Sequence, residues 1–112
     1  MTDLQVLNEF RSRILEIATL EQQLSRLEDH RLSRTQELLY KHFLSEIKHQ
    51  QAAVDALQER FDQIIAAAPR SIAPILRHYY GMGETDLYVS FATGFGRERV
   101  NQLRNEYIKQ LA

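Results

Sequence analysis

Between Tyr40 and Ile64 the chain sets Tyr40, Phe43, Ile47, Gln50, Val54, Leu57, Phe61 and Ile64 in strictly alternating steps of three and four. That spacing keeps one face of an α-helix apolar for more than three heptads, a pattern that no strand can use. The helix it requires runs from about Arg34 to Ala67. Ser33 offers an N-cap ahead of it, and Pro69 ends it because the residue before a proline disfavours the helical region. Gln50 interrupts the apolar seam. It can fix the register at some cost in stability, or it can be tolerated at a partly exposed position.

Residues 3–29 carry a second apolar stripe, Leu4, Leu7, Phe10, Ile14, Ile17, Leu20, Leu24 and Leu27, with no Gly or Pro inside it. The pattern lapses over residues 29–33, so the two helices are expected to form an antiparallel hairpin with a short turn near residue 31. Residues 1–68 are read as this hairpin, a packing or oligomerisation unit. Beside the seam lie Leu39, Leu44, Ala53 and Ile65, a stripe wider than one partner helix covers. A homodimer through the N-terminal helices is therefore expected. The alternative is that the C-terminal helices cover the surplus.

Residues 69–112 read as a smaller helical unit. Ser71 can cap its first helix, Pro74 is tolerated in the first turn, and Ile72, Ile75, Leu76, Tyr79 and Tyr80 supply the apolar side. Gly81-Met82-Gly83 stops that helix. Thr85 can then cap another, with Asp86 where the positive helix end favours an acid. Gly94 falls where the chain reverses, Phe95 follows as a plug, and Gly96 starts a last helix that runs at least to Leu111. Ser90 is small enough to let these two helices approach. Val100, Leu103, Tyr107 and Leu111 share the face of the last helix that must be buried. Arg97, Glu98, Asn101, Gln102 and Asn105 fall on roughly the opposite face. The spacing is that of a helix-turn-helix reader of double-stranded DNA, and equally that of an ordinary helical hairpin with a solvated polar face. On the first reading those five residues would meet base edges, with Glu98 accepting from a cytosine amino group. Arg77, Arg99, Arg104 and Lys109 would hold phosphates.

The runs RERVNQL (Arg97 to Leu103) and YIKQL (Tyr107 to Leu111) resemble the recognition helix of sigma-factor region 4, and ILRHYYGMG (Ile75 to Gly83) resembles the helix before it. The two pieces agree in order and spacing. The resemblance implies that Arg97, Glu98, Asn101 and Gln102 face the major groove of a promoter element. Asn101 departs from the usual Arg of that family. It also implies RNA polymerase, through the flap of its β subunit, as a further partner. A helical segment followed by such a domain is similar in architecture to ArpU/RinA-type phage late-transcription regulators. The expected fold is all-α, a long helical hairpin followed by a sigma region 4-like helix-turn-helix domain. The expected function is sequence-specific DNA binding in transcription regulation. A small terminase-like DNA-packaging subunit and a helical protein-protein interaction module are the alternatives.

Composition adds bounds rather than direction. The 112 residues carry a net charge of −1, so global charge does not point to nucleic acid. Residues 1–69 hold 8 Lys/Arg against 11 Asp/Glu, and residues 70–112 hold 6 against 4, which leaves the C-terminal part mildly basic. There is no cysteine to form disulfides or thiolate metal sites. No apolar run approaches the roughly 20 residues of a membrane span and no apolar leader core is present, so a cytoplasmic location is expected. His42 and His49 stand seven residues apart on one helix, about 10 Å by helical rise, too far to share a metal unaided. No catalytic constellation is found, so neither enzymatic activity nor a cofactor is expected.

Overall fold

The computed structural model describes residues 1–28 and 33–111. Five α-helices follow in order, and no strand occurs among the described residues: α1 (Asp3–Glu28), α2 (Arg34–Ala67), α3 (Ala73–Leu76), α4 (Asp86–Thr93) and α5 (Arg97–Leu111). A wide π-turn, Arg77–Gly81, continues α3. The protein is all-α, and its elongated form measures 51 × 30 × 17 Å. The turn expected near residue 31 lies outside the described residues.

Both long helices open with the same reciprocal cap. Ser33 Oγ accepts from the Gln36 backbone N–H while Gln36 Oε1 accepts from the Ser33 N–H. Thr2 and Gln5 repeat the exchange at the start of α1. Each pair satisfies helix-end donors that would otherwise lack partners. At the far end of α2, Ala68 is extended ahead of Pro69, as the proline ring requires. Ser71 makes no cap. The Pro69 carbonyl instead accepts from both Ile72 and Ala73 N–H, so α3 grows out of a backbone turn and has no extended capping residue.

The seam packs as its spacing requires. Phe10 and Phe61 stack at 4.1 Å between ring centroids. Gln50 is 8% exposed, and its Oε1 accepts from Arg13 Nη1 at 2.9 Å. A buried polar residue in an apolar seam is tolerable only with such a partner, and the partner sits at one register of α1. The core does not stop at the hairpin. Val6, Leu7, Phe10, Val54, Phe61, Ile64 and Ile65 form one cluster with Ile72, Leu76 and Tyr80, and Leu103, Tyr107, Ile108 and Leu111 of α5 pack on it. Ile65, a flank position of the seam, is thus already buried within the chain. Gly81 makes the close contact that brings the π-turn onto α2, since a Cβ there would stand 3.0 Å from the Phe61 ring. The half of the hairpin nearest its tip has no such cover, and Leu38, Leu39 and Leu44 are exposed there.

Phe61 touches both halves of this core, so Phe61→Ala is expected to cost about 3–5 kcal/mol in urea-induced unfolding followed by circular dichroism. A loss under about 1 kcal/mol would mean that the hairpin and the C-terminal helices do not share a core.

Candidate nucleic-acid interface

Three residues, Gly94, Phe95 and Gly96, join α4 to α5. Gly94 takes a left-handed conformation (φ +79°) that a residue with a Cβ adopts only under strain, and its N–H closes α4 on the Ser90 carbonyl. The Ser90 hydroxyl donates to the Phe95 carbonyl at 2.6 Å, so this residue pins the turn as well as sparing room. At the start of α4, Thr85 is extended and its hydroxyl accepts from the Tyr88 N–H. Val89 and Val100, both 0% exposed, lock α4 against α5 over Ile75, with Phe95 and Leu103 beside them.

With Val100 facing inward, Arg97, Glu98, Asn101, Gln102 and Asn105 are all exposed. At 3.6 residues per turn they cover a continuous arc of about 140°. Their hydrogen bonds run along the helix: Asn105 Nδ2 donates to Asn101 Oδ1 at 2.9 Å, and Gln102 Nε2 donates to Glu106 at 3.2 Å. Arg99 Nη1 donates to Gln102 Oε1 at 3.1 Å. Asp86, Arg97, Glu98 and Asn101 line a polar cleft of about 400 Å³ where the start of α4 meets the start of α5.

The four cations assigned to phosphates separate. Arg99 and Lys109 are exposed on α5. Arg77 is exposed on the π-turn but lines a different cleft, with Phe10, Phe61 and Asp62 against the hairpin. Arg104 is not available to a phosphate at all. It is 7% exposed, pairs with the Asp86 carboxylate, and lies 3.9 Å over the Tyr79 ring. Arg11 of α1 covers Tyr79 at the same 3.9 Å and donates to the Tyr79 carbonyl at 2.8 Å. Arg104 falls at the edge of the polar arc, and its ion pair with the start of α4 turns it inward.

Asp86 is the member of this cleft whose contacts spacing alone misses. Its Oδ1 takes the Arg104 guanidinium and its Oδ2 takes Asn101 Nδ2 at 3.1 Å. Burial acts to raise its carboxyl, but hydrogen bonds from Arg104 and Asn101, with the charges of Arg104 and Arg97, outweigh it and hold the group below its ordinary value. The sequence signal was present only as an acid at a helix start, which says nothing of a partner 18 residues on. A second unexpected feature is the outer side of α4, where Leu87, Tyr88 and Phe91 are exposed, Phe91 by 75%. No cluster of His, Cys, Asp and Glu suited to a metal occurs among the described residues, and no described helix is long and apolar enough to cross a membrane. No protein-family model, curated protein or solved structure matches the chain.

Because the Asp86 carboxyl is lowered on folding, its stabilisation is complete above the ordinary carboxylate value of 3.8 and is lost as pH falls through the folded value. Thermal unfolding from pH 7 downward should therefore show a fall in Tm below about pH 4, and Asp86→Asn should flatten part of that fall. An identical acid profile in the variant would show that the carboxylate carries no linkage to folding.

Proposed function

We propose that this chain is a sequence-specific DNA-binding protein acting in transcription regulation, with α5 entering the major groove. One observation carries the reading: Arg97, Glu98, Asn101, Gln102 and Asn105 stand exposed on one arc of a helix that Val100 and Leu103 anchor from behind. Amides and a guanidinium on one helix face complement the donor and acceptor pattern of base edges. Arg99 and Lys109 beside them supply phosphate contacts that set position without choosing sequence. The similarity of Arg97 to Leu111 to a sigma region 4 recognition helix supports the same reading.

A single helix spans few base pairs, so a second copy joined through the distal hairpin completes the binding unit. Leu39 and Leu44 are exposed there. The charges are complementary as well: the distal part of α1 holds Glu16, Glu21 and Glu28 against Arg26, and the facing part of α2 holds Arg34, Lys41 and Lys48 against Glu37 and Glu46. Two copies arranged with α1 against the partner's α2 set opposite charges across a shared seam, and a two-fold pair suits half-sites about 34 Å apart.

A second reading has an observation of its own. Leu87, Tyr88 and Phe91 form an uncharged, exposed face on α4, which suits a protein contact better than a phosphate backbone. On that reading the chain links DNA to RNA polymerase, the partner implied by the sigma-like resemblance. Phe91→Glu would then abolish polymerase recruitment while leaving DNA binding intact.

Selection from random duplex DNA at fixed salt tests the main reading directly. Arg97→Ala should lose about 1–3 kcal/mol on the selected site and relax choice at one base pair. Equal losses on selected and random duplex would make Arg97 a phosphate contact, and no binding at low salt would overturn the reading. Sedimentation equilibrium of the intact chain at tens of micromolar should find a dimer that Leu39→Glu with Leu44→Glu dissociates. A monomeric wild type would exclude the paired arrangement.

A further inference from the structure

We propose that Asp86 is a positioning residue for base recognition: acting through Asn101, it fixes which end of the Asn105 amide faces outward and so gives α5 a preference for adenine at one position. The inference rests on the DNA-binding reading and names a determinant of its specificity.

The polarity follows from what each group can do. An ionised carboxylate only accepts hydrogen bonds, and a guanidinium only donates them. Asp86 has Arg104 on Oδ1 and Asn101 on Oδ2 at 3.1 Å. The end of the Asn101 amide facing Asp86 must therefore be its nitrogen, which turns its carbonyl oxygen toward Asn105. Asn105 must in turn present nitrogen, and it does so at 2.9 Å. Local packing seldom settles how an amide is turned, but here the Asp86–Arg104 ion pair settles two of them in sequence. Asn105 is left with its carbonyl oxygen and one N–H unused. That pair complements the N6 amino group and N7 of adenine, the usual bidentate partner of an asparagine in the major groove. Asp86 need not touch DNA for this. It lines the cleft with Arg97, Glu98 and Asn101 and sets the hydrogen-bond order of the face beside it.

Asp86→Asn reverses the order without changing the shape. Arg104 still claims the oxygen of the new amide, so its nitrogen faces Asn101. Asn101 then turns to accept, and Asn105 turns to accept from Asn101. Only N–H donors remain outward on Asn105, and two donors match the N7 and O6 acceptors of guanine.

The experiment is selection from random duplex DNA, followed by titration of single-base-pair variants, with the full chain as wild type, Asp86→Asn, Asn101→Ala and Asn105→Ala. Wild type should prefer adenine at one position by roughly tenfold. Asn105→Ala should abolish that preference and Asn101→Ala should weaken it. Asp86→Asn should move it toward guanine. A purely structural role for Asp86 would lower stability or all affinities together and leave the base preference where it was. Circular dichroism checks that each variant is folded. Should Asp86→Asn not fold, Asn101→Ala decides, because it breaks the relay and leaves the Asp86–Arg104 pair intact. Adenine preference retained in folded Asp86→Asn and Asn101→Ala would overturn the proposal while leaving DNA binding by α5 in place. A wild-type chain that binds no duplex would overturn both.

Discussion

The pairing of Arg104 with Asp86, stacked on Tyr79, fixes the C-terminal helices as one surface. Four elements meet there through four residues: Asp86 begins α4, Arg104 lies in α5, Tyr79 belongs to the π-turn that extends α3, and Arg11 reaches it from α1. Taking a charged pair partly out of water carries a desolvation cost, and the attraction offsets it best when the remaining donors are also satisfied. Here they are. Arg104 gains the face of Tyr79, Asp86 gains Asn101, and no buried side-chain nitrogen or oxygen among the described residues lacks a partner. Two guanidinium groups on opposite faces of one phenol ring also hold the π-turn at a set height above α1. Each contact of that kind is worth on the order of 1 kcal/mol, so the geometric constraint matters more than the energy.

That constraint explains why the hairpin and the C-terminal helices share a core although Pro69 separates them in sequence. Tyr80, next to the sandwiched Tyr79, is 3% exposed, and burial pushes its phenol above the ordinary range. Gly81 then lets the chain pass close over Phe61. The wide turn at Arg77–Gly81 allows two successive tyrosines to serve different neighbours, one facing the arginines and one facing the hydrophobic cluster.

The long helices were legible because their information is local. Steps of three and four state which face is buried, Ser33 and Pro69 state where α2 begins and ends, and all of these hold in the structure. The break between α4 and α5 was legible for the same reason, since Gly94 is needed where the backbone turns left-handed. What could not be read was long-range pairing. Arg104 has the composition and position of a surface cation, and only a partner 18 residues away turns it inward. Ser71 looked like a cap because its type fits, but the Pro69 carbonyl had already supplied the turn. The exposed side of α4 fails in the opposite direction: Leu87 and Phe91 are apolar by type, yet Val89 alone fills the space between α4 and its neighbours, and a helix of 8 residues has little face left to bury.

The charge on the candidate reading surface bears on how it would work. Along α5, Arg97, Arg99 and Lys109 stand exposed against Glu98 and Glu106, while Arg104 is neutralised by Asp86. Long-range attraction to phosphates scales with the number of free cations, and a nearly balanced face releases few counterions. A protein reading DNA with such a helix gains little non-specific affinity and depends on short-range hydrogen bonding. Hydrogen bonding of that kind selects well only if donors and acceptors are already turned the right way, because every amide free to flip can satisfy more than one base. The Asp86–Arg104 ion pair and the amide order that leaves it along Asn101 and Asn105 would supply that orientation before any partner arrives. The modest charge and the ordered amides are therefore consistent with each other: a reader weakly attracted everywhere would have to be strict at the few positions it contacts.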